Sequence, residues 1–214
     1  MRRQLCTIRR ILPLVLIGLT GCFSLARNAP TPRHFVLGGA GPRADETVSR
    51  DPDRITVGVR RLQLAPYLAT PFVVVRRGSN QITFSEFQRW GEDLGVGINR
   101  TVAGYLAGRA PFADLDMAPW PVGTPHDYLI QLSVSRFEGV APEALSAVEG
   151  EANVLATWEI VAQNGEVLAR GTTDYREPGW KVGDYAGLVT LLDTGLDVLA
   201  NDLATRLEEL ERRP

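Results

Sequence analysis

Apolar residues alternate with polar ones in several short stretches of this chain and recur every three or four residues in two longer ones. Ile55, Val57 and Val59 alternate with Thr56, Gly58 and Arg60, the period of a half-buried strand. Tyr128, Ile130, Leu132 and Val134 alternate with Leu129, Gln131, Ser133 and Ser135, and Val154 to Ile160 repeats the pattern against Asn153 to Glu159. Shorter strand signals lie at His34 to Leu37, at Phe72 to Val75 after Pro71, and at Gln81 to Phe84 after the turn-like "RRGSN". Asn164-Gly165 predicts a hairpin with a type I′ turn, and Val167 to Tyr175 is the returning strand.

The 3.6-residue period appears twice. Phe87, Trp90, Leu94, Ile98, Val102 and Leu106 predict a first helix, with Ser85 before Glu86 as its N-cap. Tyr185, Leu188, Val189, Leu192, Leu196, Leu199, Leu203, Leu207 and Leu210 predict a second, capped by Asp184, with arginines near its C-terminus to suit the helix dipole. Gly108 to Asp127, with four prolines, reads as a loop between two halves. The expected class is α+β: a single domain with a largely antiparallel sheet and two long helices packed on one face.

The N-terminus is of another kind. Met1 to Arg10 carries four arginines and no acid, and Ile11 to Leu19 is almost wholly apolar. A basic start and a short apolar run ending in small residues mark a secretory signal, and the run is too short to span a bilayer. It ends at Leu19-Thr20-Gly21-Cys22, which resembles the lipobox of bacterial lipoproteins. That resemblance implies a diacylglyceryl group on the Cys22 thiol, cleavage before Cys22 and acylation of the new amino terminus. Residues 1–21 are then a lipoprotein signal peptide, 22–33 a lipidated tether and 34–214 the folded domain. Phe23, rather than aspartate, follows the cysteine, and by resemblance to the enteric sorting rule this implies the outer membrane, periplasmic face.

Two consequences follow from that cut. Cys6 leaves with the signal, so Cys22 stands alone and no intramolecular disulfide forms. Four positive charges leave with it, and the formal charge moves from −2 to −6. A mildly acidic chain with no basic cluster is a poor nucleic-acid binder. From Phe23 to Arg33 the extended tether spans at most about 40 Å, keeping the domain near its membrane.

Catalytic patterns are missing. No G-x-S-x-G, H-E-x-x-H or phosphate-loop sequence occurs, and the one lysine, Lys181, precedes a valine. "GGAG" at 38–41 lacks the strand-to-helix context of a dinucleotide site. His34 and His126 are far apart, and Asp114 and Asp116 lack the ligand series of a calcium loop. No metal, and no cofactor beyond the covalent lipid on Cys22, is expected.

The stretch "YLATPFVVVRRGSNQITFSEFQRWGEDL", residues 67–94, resembles the ABC-type transport auxiliary lipoproteins, the PqiC family. The residues that carry it are Tyr67, Leu68, Pro71, Val73, Val74, Arg76, Asn80, Ile82, Phe84, Phe87, Arg89 and Trp90, joined by "DYLIQLSVSRFEG", the strand of Trp158 and "YAGLVT". Gly91 and Asp93 depart from the family's pattern. The resemblance implies an accessory subunit of an envelope transport system, supporting intermembrane lipid transport and outer-membrane integrity. Its partners would be a protein with mammalian-cell-entry (MCE) domains and, through it, an ABC permease and ATPase. A structural or regulatory outer-membrane lipoprotein, such as an activator of cell-wall synthesis, is the alternative.

Residue by residue, Trp90 reads as a core anchor, Arg89 as a stem laid over that core, and Tyr67 and Pro71 as fixing the start of a strand. Phe72, Val73, Val74 and Val75 are apolar in succession after a proline, which suits a sheet edge that something must cover. The candidates for the cover are the chain's own helices, a second copy making a homo-oligomer, or the transport partner.

Overall fold

One long strand organises the molecule. In the computed structural model, which describes residues 30–39, 54–110, 113–144, 146 and 148–212, strand β7 (Tyr128–Ala141) serves partners along both edges. On one edge it pairs antiparallel with β8 (Glu149–Ala162), which pairs in turn with β9 (Val167–Lys181). On the other edge three short strands take turns: β2 (Ile55–Val59) near its start, β3 (Gln63–Leu64) in the middle and β4 (Phe72–Arg77) at its end, all parallel to it. Beyond β4 lies β5 (Gln81–Trp90), antiparallel, and beyond that β1 (Arg33–Phe35). Beyond β2 lies β6 (Ala113–Met117). The sheet is therefore mixed, with the long pairings antiparallel and the short ones parallel, in an α+β architecture.

Helix α1 (Leu94–Arg109) and helix α2 (Tyr185–Glu211) supply the second layer and pack on each other. The expected stripe of α2 is buried, with Leu188, Leu192, Leu196, Leu199, Leu203 and Leu207 all inaccessible. Asp184 caps it as expected, its carboxylate accepting from Gly187 N at 3.1 Å. Gly195 lets the helix lie on the sheet, because a Cβ there would stand 2.7 Å from both Val154 and Tyr175 side chains. Between the helices, Tyr105 donates to Asp193 at 2.6 Å and Arg109 pairs with Asp197 at 2.6 Å. Desolvation and the hydrogen bond to Asp193 raise the Tyr105 phenol above its usual range.

Four expectations are corrected. The first helix starts eight residues later than expected, at Leu94, capped by Asp93 rather than Ser85. Phe87 and Trp90 belong to β5, where Trp90 N donates to Pro71 O and Gly91 N to Phe35 O. Those bonds, made with distant segments, hold the backbone extended against the local period. The loop expected at Gly108 to Asp127 contains β6, whose parallel partner lies more than fifty residues upstream. The hairpin after β8 stands where expected, but Asn164 keeps a negative φ and only Gly165 is left-handed at +89°. That is a longer loop than the type I′ turn, and Asn164 Oδ1 supports it by accepting from Glu166 N at 2.9 Å.

The fourth correction concerns Phe72 to Val75. The strand is internal, flanked by β5 and β7, not at an edge. Val73, Val74 and Val75 are buried, and the cover on the second face comes from within the chain. A single 3₁₀ turn, Pro66–Leu68, is one element of it, with Leu68 wholly inaccessible and Tyr67 reaching across to β7. The signal sequence, Cys22, the tether as far as residue 29 and most of the glycine-rich stretch after Leu37 lie outside the described residues.

Candidate functional site

The motif at residues 67–94 folds into one continuous piece: the 3₁₀ turn, β4, the turn at Gly78, β5 and the start of α1. Its outward face can be read from β7. Phe137 packs against Trp90, and a Cβ at Gly139 would meet Trp180 and Leu188, so both positions face the core. Glu138 between them points to the other face. Opposite it in register is Asn153 of β8.

Glu138 has no exposed surface, and a buried carboxylate needs a partner. Arg76 of β4 supplies it, Nε at 2.5 Å from Oε1 and Nη2 at 3.3 Å from Oε2. The same guanidinium lies 5.7 Å from the centre of the Tyr67 ring and donates weakly to its hydroxyl at 3.5 Å. Tyr67 in turn donates to Ser135 O at 2.9 Å, tying the 3₁₀ turn to β7. Burial first, and the Glu138 charge second, push the Tyr67 phenol up to about 12. Arg76 is also raised, chiefly by its hydrogen bond to Glu138. Neither side-chain polar atom of Asn153, itself 1% exposed, has a hydrogen-bond partner among the described residues.

A second arginine–aromatic pair stands beside the first. The Arg89 guanidinium lies 5.0 Å from the centre of the Phe72 ring, and Phe72 meets Phe84 at 6.5 Å. Arg89 also donates to Glu86 O at 3.3 Å. Trp90 is buried as expected, while Asn80 sits exposed in the turn between β4 and β5. Pro71 stands just before β4, and its carbonyl accepts from Trp90 N at 2.8 Å. The structure thus brings Tyr67, Phe72, Arg76 and Arg89 to one face and leaves Asn80 apart. Sequence reasoning missed Glu138. Its signal was a charged residue interrupting the apolar run "RFEGVA" of a strand with both faces covered.

Gly38, with φ of +75°, donates its N–H to Asp193 at 2.8 Å, so the glycine-rich stretch begins against a carboxylate. His126 is buried, 3.1 Å from Asp116 and packed at a tilt of 54° against Trp120 with ring centres 4.6 Å apart. Trp158 and Gly171 line two shallow clefts at the β9 edge of about 280 and 570 Å³. Among the described residues no three metal-ligating side chains converge, and no helix is long and apolar enough to cross a membrane.

The described residues form a small α+β domain with arginine–aromatic pairs on one sheet face. The chain belongs to the family of ABC-type transport auxiliary lipoprotein components, whose model matches residues 35–204. Among solved structures, an uncharacterized protein is similar at a TM-score of 0.60 and 17% identity, covering 83% of this chain and 99% of that one. Protein XCC0632 from Xanthomonas campestris is similar at 0.57 and 16%, covering 81% and 87%. The PelC dodecamer from Paraburkholderia phytofirmans is more distant, at 0.41 and 18%, covering 68% and 86%. The first two share the fold. No curated protein matches the chain significantly.

Proposed function

We propose that this protein is the lipid-anchored auxiliary subunit of an MCE/ABC-type envelope transport system, held at the outer membrane on its periplasmic face. The observation that carries the reading is the match of the auxiliary-component family across 35–204, preceded by Leu19-Thr20-Gly21-Cys22. The lipid on Cys22 is the membrane attachment: two or more acyl chains hold a protein stably where one does so only marginally. The domain contributes docking, and the ATPase, the permease and the MCE conduit supply energy and passage.

Two measurements test this. Labelling with a palmitate analogue should mark the wild type, and Cys22→Ala should lose both the label and outer-membrane fractionation. Cross-linking in cells followed by affinity purification should recover an MCE-domain protein. Recovery of cell-wall synthases in its place would favour a regulatory lipoprotein, and a labelled Cys22→Ala would refute the anchor.

A further inference from the structure

Asn164-Gly165 is the only Asn-Gly pair in the chain. Asparagine ahead of glycine is chemically labile, because no Cβ keeps the glycine nitrogen away from the carboxamide. The fold places the pair in the loop between β8 and β9, where Gln163, Asn164, Gly165 and Glu166 are all exposed. Water and hydroxide therefore reach it, and burial gives no protection. Hydrogen bonds do. The Gly165 N–H, whose nitrogen would have to attack, donates to Ala162 O at 2.9 Å. The Asn164 carboxamide, which would be attacked, is held through Oδ1 by Glu166 N at 2.9 Å. Ala162 N donates to Glu166 O at 2.8 Å and closes the loop outside both. Asn80, exposed in the turn after β4, is followed by Gln81, whose side chain hinders the same approach.

We propose that Asn164 is a latent site of spontaneous deamidation, locked in the folded hairpin and released when the end of the β8–β9 pair opens. Gly165 N loses its proton to hydroxide and bonds to Asn164 Cγ. The Cγ–Nδ2 bond then breaks, and Nδ2 takes a proton from water and leaves as ammonia. Water opens the cyclic imide, at Cγ to give aspartate or at the main-chain carbonyl carbon to give isoaspartate. The sum is asparagine and water converted to an acid and ammonia, with no oxidant or enzyme required. In the folded chain both hydrogen bonds must break first, so the reaction follows the population of open hairpin ends. Either product bears on the fold. A carboxylate at 164 joins Asp127 and Glu211, which line the same hollow of about 670 Å³. Isoaspartate also adds a carbon to the main chain, within the loop that the bond from Ala162 N to Glu166 O closes. Loop length sets strand register, so that form strains the hairpin.

The test incubates mature protein in detergent at mildly alkaline pH, native and in unfolding urea, and reads conversion at 164 by peptide mass spectrometry. Asn80 is the internal comparison. In urea, Asn164 should convert faster than Asn80, and Gly165→Ala should slow it severalfold. Native protein should convert about ten- to a hundredfold more slowly than unfolded protein, the factor that two exposed hydrogen bonds supply. Hydrogen exchange on the native wild type gives an independent reading: the Gly165 amide should be protected by a factor similar to that slowing of conversion. The isoaspartate form, separated by ion exchange, should unfold at lower urea than the unmodified chain. Native conversion as fast as in urea would overturn the lock, and so would a Gly165 amide exchanging as in an unfolded chain. Conversion in urea no faster at Asn164 than at Asn80, or unaffected by Gly165→Ala, would overturn the site itself. Equal urea midpoints for the two forms would refute the strain on the hairpin.

Discussion

Glu138 is a fully buried carboxylate whose fate depends on Arg76, and the two partners are not equivalent. Arg76 retains 16% side-chain exposure while Glu138 has none, so only the arginine can turn to water when left alone. Arg76→Met should therefore cost more than Glu138→Leu, on the order of 3–5 kcal/mol, because it strands a buried charge. Restoring neutrality in the double variant should recover most of that loss, and a urea double-mutant cycle measures it. Tyr67 gives a pH signature. Its phenol is raised from 10 to about 12, so the folded protein holds the proton longer than the unfolded chain. The stability from this difference is intact below pH 10 and is lost as pH rises toward 12. Tyr67→Phe should flatten that decline, read as the change in urea midpoint across the same window. Tyr67 and Arg76 stood out in the sequence as part of a resemblance; the carboxylate that joins them, sixty residues on, did not, because no local pattern pairs two distant strands.

At the scale of elements, tertiary bonds decide two boundaries that local period could not. The spacing of Phe87, Trp90 and Leu94 fits a helix, yet Pro71 O and Phe35 O accept the N–H groups of Trp90 and Gly91 and keep the strand extended. Asp93 then caps α1, accepting from Val96 N at 3.0 Å, and Asp93→Ala should cost about 1 kcal/mol in urea unfolding. The apolar run of β4 is explained by two covered faces rather than by a bare edge. Val74, 1% exposed, would carry an unpaired charge into the core as glutamate, so Val74→Glu should fail to fold by circular dichroism. On the true edge strand β9, Gly171 lies beneath the Trp158 ring, where a Cβ would overlap it. Gly171→Val should lower stability by about 1–3 kcal/mol through overpacking, seen as a lower melting temperature.

For the whole molecule, the sequence by itself determined the second helix with its cap, the β8–β9 hairpin and the long alternating strand β7, because each is specified by neighbours within a few residues. It also carried the family resemblance, which the match across residues 35–204 establishes. Only the tertiary structure decided that β2, β3 and β4 share one edge of β7 in parallel, that β6 exists at all, and that the motif's aromatic and basic residues gather on one face. Parallel pairing has no turn to announce it, since the chain must leave the sheet and return. The buried Arg76–Glu138 pair has the same origin: a charge in a sequence reads as solvated until the strand that buries it and the strand that neutralises it are brought side by side.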